Sequence, residues 1–134
     1  MFTLLLIFGT VLAVETAAPL TIDLTVHERA TAGRDGSILV RGTVTCSAQT
    51  TVSIEGQVDE ELTRSNVATG VFAVDVACDT TPTPWTATVT ADTDVPFRPG
   101  FASIGLRATA FDPASGVFTG VESISFLHLT RSDR

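Results

Sequence analysis

The sequence contains no lysine and no tyrosine, a single tryptophan, a single methionine and two cysteines. Each scarcity excludes something. The eight basic residues are all arginine, stand against 15 acids for a net charge of −7, and are scattered singly along the chain from Arg29 to Arg134. A nucleic-acid face needs clustered positive charge to displace counterions from phosphates, so no nucleic-acid partner is expected. The same repulsion disfavours docking on anionic lipid. Two cysteines and two distant histidines, His27 and His128, do not supply the three or four converging ligands that zinc takes. Neither a Gly-x-Ser-x-Gly elbow nor a His-Glu-x-x-His pair occurs, so no catalytic residue and no cofactor is expected and the chain reads as non-enzymatic. Asn66 is followed by Val67 and Ala68 and forms no glycosylation acceptor.

Long apolar runs are missing too, with one exception. Residues 2–14, Phe-Thr-Leu-Leu-Leu-Ile-Phe-Gly-Thr-Val-Leu-Ala-Val, are too few to span a bilayer but match the hydrophobic stretch of a secretory signal. Small residues follow at Ala13, Thr16, Ala17 and Ala18, although no Lys or Arg precedes the run. Residues 1–18 are therefore expected to be a signal peptide cut between positions 13 and 18. Residues 19–134 would then form a single domain, secreted and in contact with a membrane only during export. A hydrophobic content of 44% against 17% charged residues argues against disorder.

What the sequence does contain is period two. Leu20, Ile22, Leu24 and Val26 alternate with polar residues, and Ile38, Val40, Val44 and Cys46 share one face of a second segment. Further strands are expected over 51–58, 71–78, 85–91, 102–110 and 117–129, with a short edge strand over 62–68. Turns are expected at 31–36, 59–61, 80–84, 92–100 and 112–116, and a bulge at Gly120. No window carries a helical stripe, and the abundance of threonine and valine favours strands. Seven or eight short antiparallel strands predict an all-β sandwich. Cys46 and Cys78 both fall on inward faces at strand ends, which in an exported protein predicts one disulfide closing a 32-residue loop (78 − 46).

The cysteine pair with an inward Trp85 resembles the immunoglobulin-like sandwich, in which a tryptophan packs on an inter-sheet disulfide. The order differs, because Trp85 follows both cysteines, and the absence of tyrosine removes the tyrosine corner. The segments Gly36-Ser-Ile-Leu-Val-Arg-Gly42-Thr-Val-Thr-Cys46, Cys78, Trp85 and Phe97-Arg-Pro-Gly100-Phe-Ala-Ser-Ile resemble a family of small secreted actinobacterial proteins without an assigned activity. Arginine without lysine suits a GC-rich genome. That resemblance implies the fold and export and no chemistry.

The remaining candidates lie in loops. Phe97 and Phe101 flank Pro99-Gly100 as candidate binding aromatics, with Phe111 on an outward strand face. Asp59, Asp92 and Asp94 form a candidate oxygen set for Ca²⁺. The expected role is a non-catalytic binding or envelope-associated module whose partner is a protein or cell-envelope component. The alternative is an enzyme inhibitor, presenting the stiff loop Thr80–Pro84, or a small hydrolase.

Overall fold

The computed structural model describes residues 18–131, so the expected signal peptide lies, apart from Ala18, outside the described residues. Eight strands follow one another without a helix among them: β1 (Ile22–Val26), β2 (Arg29–Ala32), β3 (Ile38–Cys46), β4 (Thr50–Thr63), β5 (Asn66–Cys78), β6 (Thr83–Val89), β7 (Gly100–Asp112) and β8 (Val117–Arg131). None of the described residues forms a helix long and apolar enough to cross a membrane.

Pairing divides the strands into two layers. β3 lies between β1 and β6, and β8, β7, β4 and β5 follow one another in the second layer. β2 links the layers: two of its residues pair with β3, while Arg29–Ala32 run parallel to His128–Arg131 of β8. All other pairings are antiparallel. This is an immunoglobulin-like sandwich, with the three strands β1, β3 and β6 facing the four strands β8, β7, β4 and β5, and β2 pairing in both layers.

The core lies between the layers and follows the alternation in the sequence. Val52, Ile54 and Val58 of β4, Ile104, Leu106 and Ala108 of β7, and Val40 and Val44 of β3 are buried. Trp85 of β6 is buried and stacks on Phe72 of β5, ring centroids 6.0 Å apart and planes 21° apart. Two glycines leave room for these rings. A Cβ on Gly42, which pairs with Trp85, would stand 2.8 Å from Trp85 Cζ2, and one on Gly56, which pairs with Phe72, would stand 2.3 Å from the phenyl ring. Cys46 and Cys78 form the expected disulfide, Cα atoms 5.7 Å apart, and tie β3 in one layer to β5 in the other. In antibody domains the bridge runs to the strand equivalent to β7 instead.

Several expectations are corrected. Residues 29–32, assigned in part to a turn, are a strand, because β2 finds partners on both sides. Asp59-Glu60-Glu61 is no corner: β4 runs straight through it, and residues 62–68 belong to the β4–β5 hairpin, which turns at Arg64-Ser65. Gly120 pairs in register with Thr109, so no bulge sits there; the register shift lies between Glu61 and Thr63.

Candidate functional site

In an antiparallel sheet, residues directly opposite one another point to the same side. The outer surface of the β5–β4–β7–β8 layer can therefore be read as rows across the strands. One row is Val71, Gln57, Gly105 and Ile124, and the next is Ala73, Glu55, Arg107 and Glu122. These two rows line a trough of about 770 Å³. Its floor is low because Gly105 has no side chain and Ala73 only a methyl. A Cβ added at Gly105 would meet no heavy atom within 4 Å. Arg107 stands in register between Glu55 and Glu122, so negative, positive and negative charges follow one another across the row.

Apolar side chains border the trough along β7 and β8. Phe101 stacks on His128, centroids 4.8 Å apart, and Phe111 meets Phe118 edge-on at 5.4 Å. Phe101, Phe118, Phe126 and Ile124 are 73%, 75%, 72% and 81% exposed. Among the described residues, nine large hydrophobic side chains are exposed, and by register seven of them lie on this face. Three phenylalanines about three-quarters exposed present on the order of 400 Å² of apolar surface, within the size range of the largest patches on soluble monomers, which are often functional. The same face carries five carboxylates, Glu55, Asp59, Glu61, Asp75 and Glu122, against one guanidinium, Arg107.

The structure separates the residues that the sequence grouped. Phe101 is exposed, but Phe97 is 3% exposed and is corrected from binding aromatic to core plug. Its amide donates to the Gly36 carbonyl at 3.2 Å, and the loop that carries it folds back over the end of the sandwich. The Ca²⁺ set is corrected too: among the described residues no three His, Cys, Asp or Glu side chains converge. Asp59 spends its oxygens on Gln57 Nε2 at 3.1 Å and Thr69 Oγ1 at 2.8 Å, on the outer sheet face.

Sequence reasoning missed Glu60. The alternation that buries Val52, Ile54 and Val58 carries Glu60 inward as well, and it is 2% exposed. Its Oε1 accepts the Arg98 amide at 2.8 Å and so anchors the 96–100 loop. Burial pushes the Glu60 carboxyl above its ordinary 4.5, against the opposing pull of the Arg98 amide and guanidinium. Asp112 shifts the other way: bonds from the Leu20 and Ala114 amides, Leu20 first, hold it below its ordinary 3.8. A raised carboxyl binds its proton more tightly folded than unfolded, so its contribution to stability is present below the unfolded value and is lost as pH rises through the folded one. Asp112 contributes above its unfolded value and loses that contribution as pH falls. Melting temperature of the wild type, relative to Glu60→Gln, should therefore rise as pH is lowered from about 7 to 4.5, the ordinary glutamate value. Parallel melting curves for the two proteins across that range would show that Glu60 is not titrating in a buried site.

No family model matches the chain, and no curated protein matches it in sequence. Among solved structures, the alkylpurine DNA glycosylase AlkC of Pseudomonas fluorescens, bound to DNA containing an abasic site analogue, is similar at a TM-score of 0.43 and 16% identity over 92% of this chain. The chain spans about a third of that protein, 34% of its length. Murine CRIg is similar at a TM-score of 0.40 and 12% identity, over 84% of this chain and 99% of CRIg. Likenesses this distant do not bear on function.

Proposed function

We propose that this protein is a secreted, non-catalytic binding module, and that the outer face of the β5–β4–β7–β8 layer receives an extracellular protein or cell-envelope component carrying basic and apolar groups. The supporting observation is the collection of exposed apolar side chains on one acidic sheet face rather than scattered over the surface. Solvated apolar surface is released from water when a partner covers it, and five carboxylates against one guanidinium select a partner of the opposite charge. A disulfide in a small sandwich suits an oxidising, extracytoplasmic compartment.

Gly105→Gln supplies the test, because a Cβ there meets no heavy atom within 4 Å and the longer side chain then projects into the trough. A glycine inside a strand is itself unfavourable, so melting temperature should not fall. Wild-type protein used as bait in culture supernatant and cell-wall extract should retain a basic polypeptide that Gly105→Gln does not. That complex should dissociate as salt is raised from about 0.1 M to 1 M, where the Debye length shrinks from ~10 Å to ~3 Å. Equal capture by both baits, or capture of nothing from either extract, counts against the reading.

A further inference from the structure

The second layer ends on two edges that differ. At the β5 edge, the segment after β6 covers the backbone: Asp92 donates its amide to the Thr69 carbonyl at 2.8 Å, and Thr69 donates to Thr93 Oγ1 at 3.3 Å. At the β8 edge, β2 pairs only with residues 128–131. Over residues 117–127, no strand among the described residues occupies the side of β8 away from β7. Exposed edges are ordinarily protected by lysine, proline, a bulge or short length. β8 is 15 residues long, contains no lysine or proline, and pairs with β7 without a register break. Its single carboxylate is Glu122.

We infer that this edge pairs with the same edge of a second copy of the chain, antiparallel about a twofold axis at Ser123, so that residues 119–127 of both copies form one continuous eight-stranded sheet. Two arguments favour a second copy as the occupant. The register is self-complementary: Gly120 of each copy faces Phe126 of the other, Ile124 faces the stem of Glu122, and Glu122 never faces itself. Centring the axis one residue earlier would set the two Glu122 carboxylates opposite one another, a destabilising arrangement. Charge also selects the edge over the face. Face-to-face packing would press five carboxylates of each copy together. Edge-to-edge packing places β4 and its partner five strand spacings apart, about 24 Å, beyond the ~8 Å screening length at physiological salt. Ile124 and Phe126 within the paired segment, and Phe118 one residue beyond it, supply the burial that backbone pairing alone does not.

This inference goes beyond the partner reading, and the two respond to salt with opposite sign. Binding of a basic partner weakens as salt rises, whereas two copies of a net-acidic domain associate more readily once repulsion is screened. Analytical ultracentrifugation of the purified protein should show a concentration-dependent dimer that tightens with salt. Phe126→Lys and, separately, Phe118→Lys should raise its dissociation constant at least tenfold; both side chains are exposed, and unchanged Trp85 fluorescence checks the fold. The native cysteines are bonded, so Ser123→Cys introduces the sole thiol and should give a disulfide-linked dimer on oxidation, while Glu55→Cys on the open face should not. Gly105→Gln should leave the dimer intact. Monomer mass at every concentration up to about 1 mM overturns the inference. So does a dimer indifferent to both lysine variants, or one that crosslinks through Glu55→Cys instead of Ser123→Cys.

Discussion

Replacing Trp85 with alanine should lower unfolding free energy by about 3–5 kcal/mol, the range for truncating a large aromatic in a packed core. Against a total of roughly 5–15 kcal/mol for a domain of this size, that is about a fifth of the stability or more. The indole lies between the layers, flat against Phe72 and opposite Gly42, and Gly42 cannot grow to fill the void. A Cβ there would stand 2.0 Å from the Thr25 carbonyl oxygen, which belongs to sheet backbone that does not yield. One feature works the other way. Among the described residues the buried indole Nε1 finds no hydrogen-bond partner, and an unpaired buried donor costs about 1–3 kcal/mol. Trp85→Phe removes that cost while keeping most of the packing and should be milder than alanine. Urea denaturation followed by far-UV circular dichroism measures both variants, since the fluorophore is lost. An alanine penalty below about 1 kcal/mol would place the indole outside the core.

The double variant Cys46→Ala, Cys78→Ala should lose about 3.7 kcal/mol, the chain-entropy value for opening a loop of 32 residues. Its effect reaches beyond entropy because the bridge is the covalent tie between β3 and β5, which are not neighbours in any sheet. Both cysteines are buried, 2% and 1% exposed, so a reductant reaches the bond through unfolding or local opening. Reduction of the native protein should accordingly accelerate with denaturant in step with global unfolding. Rapid reduction in the absence of denaturant, or a double variant as stable as wild type, would contradict this assignment.

The two experiments probe what was most legible in the sequence. Alternation in 38–46, 85–89 and 102–110 assigns inward faces that the structure keeps, and two cysteines ending such faces leave little choice of partner. Alternation says which residues share a face and is silent on which face is inside. In β8 the inner set is Val117, Thr119, Val121, Ser123, Ser125, Leu127 and Leu129, while the solvent-facing set contains Phe118, Ile124 and Phe126 beside Gly120, Glu122 and His128. Both sets carry large apolar side chains, so hydrophobicity alone does not tell the two sides of this strand apart.

Glu60 and Phe97 failed for related reasons. An acidic triplet reads as a solvated corner because burying a carboxylate is costly, yet β4 runs on in register and carries Glu60 inward, where the Arg98 amide meets it. Phe97 sits in a loop flanked by prolines, and only the fold of that loop over the open end of the core decides that it is buried.

By itself, then, the sequence determined the all-β class, the strand faces, the disulfide and the central tryptophan, because each rests on residue type and spacing within a segment of a few residues. The tertiary structure alone decided that β2 joins the two layers, that Glu60 and Phe97 are buried, and that the trough at Gly105 and the open edge of β8 exist. Those features come from register between strands far apart in the chain. The pairing of Gln57 with both Val71 and Gly105, and of Gly105 with Ile124, brings into one row residues that no local pattern connects.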